Sequence, residues 1–249
     1  MSKYYTRVCN FFYGRQSKLL VKQKKAFPLH GNEAISFDHV EIIKRNTKKR
    51  KIPIKKIVSL PAHIKKKVMS DIRLVTKKKL FKNLNLRRTV NIMGILNLTP
   101  DSFSDGGKFN KENLALNHLN YLFKSGADIV DIGGESTRPG SKMISSAVEW
   151  KRIKKVLNKI KKNHFISLDT RKSDIMEKGI KLGVSLINDV SGLNFDKNSI
   201  NILKKYKTPF VLQHSLKTPE LMQSNPKYKN VLLDIYDFFE KKIEFLKAN

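Results

Sequence analysis

The chain shows two regimes of hydrophobic and polar positions, and the change falls near residue 89. From Val90 onward, short apolar runs alternate with segments whose apolar residues recur every three or four positions. "VNIMGIL" (90–96) is a nearly continuous apolar run, as expected of a strand buried on both faces. "ENLALNHLNYLFKSG" places Ala115, Leu119, Leu122 and Phe123 on one helical stripe, with Gly126 as its C-cap. "ADIVDIGG" predicts the next strand. "SAVEWKRIKKVLNKIKK" predicts a helix with Ser146 and Glu149 spaced as a capping box and Ile153, Leu157 and Ile160 inward. The alternation continues with a strand at "HFISLD", a helix at "SDIMEKGIKLG" closed by Gly183, and a strand at "VSLIND". A weaker helix at "NSINILKKY", a strand at "TPFVLQH" and a last helix over about 229–247 (Val231, Ile235, Phe238, Leu246) complete the series.

Five successive strand–helix units predict a parallel α/β sheet, doubly wound or closing into a barrel. No glycine-rich dinucleotide fingerprint follows any of the strands. Polar clusters stand instead at every strand's C-terminal end: Asn97, "ESTRPGS", Asp169, Asn188-Asp189 and Gln213-His214. That is the face at which a (β/α)8 barrel gathers its active site. Before residue 89 the pattern is weaker, with alternation in "FDHVEII" suggesting a strand and "LPAHIKKKVMSDIRLV" a helix. The chain therefore divides into a lysine-rich extension or small α/β module (1–88) and a barrel domain (89–249). His30, His39 and His63 lack metal-ligand spacing.

Composition narrows the class. With 40% hydrophobic residues the chain is globular, and a single cysteine, Cys9, excludes an internal disulfide and fits a reducing, cytoplasmic setting. No apolar run reaches the roughly 18 residues of a membrane span. The opening "MSKYYTRVCNFFYG" mixes polar and aromatic residues too closely to read as the apolar core of a signal sequence. The formal charge of +30 is mostly lysine, spread from "KKR" at 48–50 to the C-terminus, which reads as solvated surface and predicts no specific nucleic-acid partner.

The chemistry lies in the strand ends. Asn97 suits a turn cap or a neutral oxygen ligand for a hard cation such as Mg²⁺. Asp169 ends an apolar strand, where a carboxylate is expensive unless paired or bound, and its two oxygens match the N–H and NH₂ edge of a guanidine-like heterocycle. Asn188 offers a donor and an acceptor beside it. Arg138 suits an anion or a planar ring.

Together "MGILNLTPDSFSDGG", "DIVDIGGESTRPGS", "SLDTRKSD" and "LINDVSG" resemble dihydropteroate synthase, from about Val90 onward. The resemblance implies a (β/α)8 barrel of which about five units are present. It implies condensation of 6-hydroxymethyl-7,8-dihydropterin diphosphate with p-aminobenzoate, releasing diphosphate with Mg²⁺ assistance. By the same resemblance Asn97 contacts diphosphate and metal, and Thr137 and Arg138 act from the second loop. Asp169 and Asn188 hold the pterin, Phe103 and Pro139 line the aminobenzoate side, and a full-length chain forms a homodimer. Where many members read methionine-histidine-methionine, this chain reads Gln213-His214-Ser215. A complete barrel needs eight units and about 250 residues, so the chain is expected to be a catalytically incomplete piece of a longer reading frame. Two other readings are a pterin-binding module of methyltransferase type and a non-enzymatic basic binding protein.

Overall fold

A computed structural model describes residues 3–78, 81, 90–99, 111–136, 141–215 and 227–249, and the chain divides into two compact units, Met1–Asn91 and Ile92–Asn249. In the first, β1 (Tyr5–Tyr13), α1 (Gly14–Lys22), β2 (Phe27–Leu29), β3 (Asn32–Ile43), β4 (Arg50–Pro53) and α2 (Ala62–Thr76) follow one another. β3 is the spine of an antiparallel sheet, pairing with β1, β2 and β4. Phe37, Val40, Ile42 and Ile52 from the sheet pack with Val68 and Ile72 of α2. The strand and helix expected at "FDHVEII" and 60–75 both form. β1 and α1 went unpredicted, because "YTRVCNFFYG" alternates poorly and Asn10 interrupts the strand at φ 61°.

The second unit holds five βα units in sequence. β5 (Met93–Asn97), β6 (Ile129–Gly133), β7 (Ile166–Asp169), β8 (Leu186–Asp189) and β9 (Phe210–Leu212) are hydrogen-bonded in chain order, every pair parallel. α3 (Lys111–Lys124), α4 (Ser146–Leu157), α5 (Ser173–Lys181), α6 (Ser199–Tyr206) and α7 (Val231–Ala248) follow the strands. This is the (β/α)8 type of α/β fold, present as an open five-stranded sheet. Left-handed Gly126 and Gly183 terminate α3 and α5, where a Cβ would be strained.

The two sheet faces differ. Leu96, Val130, Ile132, Ile166, Leu168 and Ile187 point to the helices and form the core with Ala115, Leu119, Ile153, Leu157, Ile175 and Met176. Alternation turns Met93, Ile95, Asn97, Asp131, Gly133, Ser167, Asp169 and Asn188 the other way. β5 was expected to be buried on both faces, yet Ile95 is 62% exposed. Among the described residues only the helix side of β5 is covered.

The cap of α4 also differs from expectation. Ser145, not Ser146, is the N-cap, its side chain accepting from Val148 N–H. Ser146 donates to Asp174 across to α5, and Glu149 turns inward to an ion pair rather than back to the cap. Two serines in succession leave the cap register ambiguous, and the buried cation decides it.

Gly192 joins two strand-end loops. It has φ 61°, and a Cβ there would overlap the carbonyl oxygen of Gln213. Gly192→Ala is expected to destabilise the unit by about 2–4 kcal/mol, combining a left-handed alanine with a backbone clash. Urea unfolding followed by circular dichroism measures it. A loss below about 0.5 kcal/mol would show that the two loops are free to separate.

Candidate functional site

Parallel pairing brings the strand ends into one row. Asn97 is paired with Gly133, Gly133 with Asp169, and Asp169 with Asn188. Because register fixes the face as well as the level, the three side chains emerge on the same side of the sheet. Gly133 matters by having no side chain. A Cβ there would stand 3.4 Å from Asn97 Oδ1 and 3.4 Å from Asp169 Oδ2, so the two polar groups converge over a bare strand. Three residues expected from the sequence, Asn97, Asp169 and Asn188, are thus brought together. Phe103, Thr137, Arg138 and Pro139 lie outside the described residues.

One strand level below the row sits a residue that the sequence reading missed. Asp131 is buried at 7% exposure, and Asn188 Nδ2 donates to its Oδ2 at 3.0 Å. This bond settles the direction of the amide: the nitrogen faces Asp131, so Asn188 Oδ1 is turned away from it. The available signal was a carboxylate inside the apolar strand "ADIVDIGG".

Burial raises the Asp131 carboxyl above its ordinary range, the amide of Asn188 opposing the shift. The effect on Asp169 is larger. Burial first, then the neighbouring charge of Asp131 and the more distant Glu149, Asp189 and Glu135, push its carboxyl up to about 8. Asp169 Oδ1 is buried with no hydrogen-bond partner among the described residues. At neutral pH the group is held protonated in a place where a donor-bearing ligand would ionise it.

Beside the row, a buried charge network ties three loop ends together. Glu135 takes Ile144 N–H on one oxygen (2.9 Å), and Arg171 Nε (3.2 Å) and Lys172 Nζ (2.9 Å) on the other. Lys172 also donates to Glu149 Oε2 at 2.6 Å, and Glu149 is fully buried. Burial alone would raise the Glu135 pKa, but these bonds outweigh it and hold the carboxyl below its ordinary value. Ser141 Oγ donates to Ser136 O at 2.6 Å. The sequence exposed these charges in "ESTRPGS" and "SLDTRKSD" but not their pairing.

Two other polar strand ends are structural. Asp189 faces the helices and caps the following loop, accepting from Ser191 N–H (2.7 Å) and Leu193 N–H (3.1 Å). His214 bonds Tyr228 OH at 3.1 Å and packs on Phe238 at 4.5 Å between ring centroids.

Two measurements follow from this electrostatic arrangement. Asp169 ionises at 3.8 ordinarily and at about 8 when folded. The folded state therefore holds a proton the unfolded chain has lost, and stability falls as pH rises from about 4 to 8. Asp169→Asn is expected to gain over the parent progressively across that window in urea midpoints at pH 5, 6.5 and 8. Parallel curves would refute the assignment. Lys172→Ala leaves Glu149 buried and uncompensated, and a loss of about 3–5 kcal/mol is expected by chemical denaturation. Double replacement of Lys172 by Met and Glu149 by Leu should recover most of it.

With the geometry in place, comparison with known proteins identifies the chain's kin. Residues 93–249 match the family model described as "Pterin binding enzyme". A dihydropteroate synthase of Clostridium beijerinckii is 40% identical over 168 residues, 67% of this chain and 60% of the relative. Another from Neisseria meningitidis serogroup B is 45% identical over 155 residues, 61% of this chain and 54% of the relative. This chain thus spans little more than half the length of those relatives. Among solved structures, the Clostridium difficile dihydropteroate synthase with pteroic acid superposes with a TM-score of 0.60 at 41% identity, covering 66% of this chain and 61% of that one. The Yersinia pestis enzyme with a sulfonamide drug gives 0.61 at 36% identity, covering 68% and 62%. From Met93 onward, this chain belongs to the pterin-binding enzyme family.

Proposed function

We propose that this chain carries the pterin and diphosphate end of a dihydropteroate synthase site, in a cytoplasmic enzyme of folate biosynthesis. The reaction would join 6-hydroxymethyl-7,8-dihydropterin diphosphate to p-aminobenzoate. The aniline nitrogen forms a bond to the pterin methylene carbon, the carbon–oxygen bond to diphosphate breaks, and the amine loses a proton. A dihydropterin spreads positive charge from its methylene, so the departure needs charge neutralisation and positioning more than a strong base.

The single observation that carries the reading is the buried, unpartnered Asp169 Oδ1, beside an Asn188 amide whose direction is fixed by Asp131. A heterocycle edge with adjacent N–H donors supplies the missing partner and restores the ionised carboxylate. Asn188 adds an acceptor and a second N–H alongside. Asn97 stands across the bare Gly133 and is proposed to contact the leaving diphosphate. Thr137 and Arg138 are proposed to act on the diphosphate, and Phe103 and Pro139 to line the aminobenzoate side, on the strength of the family motifs.

The donor set is compatible with Mg²⁺ carried chiefly by substrate phosphates. Asn97 provides one neutral oxygen, and the described residues contain no group of three or more His, Cys, Asp or Glu able to cage a metal. A bound Mg²⁺ supplies charge neutralisation of the leaving diphosphate.

Titration calorimetry of the 249-residue chain with a pterin analogue and, separately, with magnesium diphosphate tests the assignment. Asp169→Ala is expected to weaken the pterin analogue by about 2–3 kcal/mol. Asn97→Ala should lower diphosphate affinity and leave pterin affinity nearly unchanged. Equal loss of both ligands in Asn97→Ala would make that residue a loop support, and unchanged pterin affinity in Asp169→Ala would overturn the pocket.

A further inference from the structure

The positive charge is not shared evenly between the two units. Residues 1–91 hold 25 of the 51 Lys and Arg but only 4 of the 21 Asp and Glu. The remaining 158 residues hold 26 basic and 17 acidic residues. Nucleotide bias in one reading frame acts on both units alike, so it accounts for lysine in general but not for this depletion of acids.

Within that unit the charge has a focus. The connection from β3 into β4 reads Lys44-Arg45-Asn46-Thr47-Lys48-Lys49-Arg50-Lys51, six cations in eight residues, and Lys55 and Lys56 follow directly after β4. Lys48, Lys49, Arg50, Lys51, Lys55 and Lys56 are all exposed. Among the described residues none of these six is in an ion pair, while three of the unit's acids are engaged elsewhere. Glu41 pairs with Arg7, Asp71 with Lys67, and Asp38 with His39 and Asn10. The hairpin thus presents a cluster of exposed cations whose one facing acid, Glu41 opposite Lys51, is already paired with Arg7, an arrangement that backbone phosphates relieve.

We propose that the β3–β4 hairpin is a docking surface for single-stranded nucleic acid, contacting its backbone phosphates without reading sequence. A membrane surface is the weaker fit. Interfacial elements set their cations beside side chains that insert among lipids, and residues 44–51 contain no apolar side chain. The inference is independent of the pterin site and survives the failure of that reading.

Fluorescence anisotropy of the 249-residue chain with labelled 20-nucleotide RNA and DNA of mixed sequence, over a series of salt concentrations, tests it. Vesicles containing phosphatidylserine serve as the competing surface. Binding is expected to be insensitive to sequence, with a log–log salt slope of about −3 to −4, each single-strand phosphate contact contributing about −0.7. Lys48→Ala/Lys49→Ala should weaken binding on the order of tenfold and flatten the slope by about 1.4, its fold verified by circular dichroism. Lys241→Ala/Lys247→Ala, on α7, should leave both unchanged. No measurable binding at 0.1 M salt, equal losses in the two variants, or tighter binding to vesicles than to either oligonucleotide would each overturn the proposal.

Discussion

The buried pairing of Lys172 with Glu135 and Glu149 is the constraint on which the rest of the second unit turns. It joins the end of β6, the end of β7 and the first turn of α4 through a single ammonium group. Removing charges from water is costly, and such a cluster is tolerated where its charges are paired, even though Glu149 Oε1 is left buried without a hydrogen bond among the described residues. Here Ile144 N–H and Arg171 complete Glu135, so the shell around the strand ends is locked before any ligand arrives. Hydrophobic packing positions the strands. The charge network positions the loops between them.

That division explains the contrast between neighbouring acids. Glu135 and Asp169 lie on strand ends that pair directly, at Gly133 and Asp169. Glu135 is surrounded by cations and N–H donors and stays ionised, whereas Asp169 is cut off from water by burial, with the charge of Asp131 beside it, and is held protonated. The same residue chemistry thus gives a structural anchor on one side and an unsatisfied recognition group on the other. The core beneath is ordinary aliphatic packing, and Gly134 lets it close. A Cβ at that position would stand 2.8 Å from Ile153 Cγ2 and 3.0 Å from Glu149 O.

Much of this was legible in the chain. Strand and helix periodicities differ by nearly a factor of two, so the five βα units stood out, and the row of Asn97, Asp169 and Asn188 followed from placing polar residues at strand ends. What stayed hidden depends on through-space pairing. Asp131 was one more strand residue until β8 brought Asn188 against it, and Lys172 had no role of its own within "SLDTRKSD" until α4 placed Glu149 against it. β1 and α1 escaped because Asn10 breaks the alternation that signals a strand. The charge asymmetry was countable from the division at residue 89, since Thr89, Val90 and Asn91 carry no charge. Phe103, Thr137, Arg138 and Pro139 rest on motif likeness alone, being outside the described residues.

Gly133 has a consequence for how the site can vary. A single missing carbon sets the clearance for two polar groups that belong to different ends of the row, Asn97 on one flank and Asp169 on the other. A lone methyl at 133 would just touch both, and any larger side chain would fill the space between them. The two halves of the site therefore share one clearance at this strand, so a bulky residue there alters both ligand subsites together, whereas a change on β5 or β7 can retune one alone.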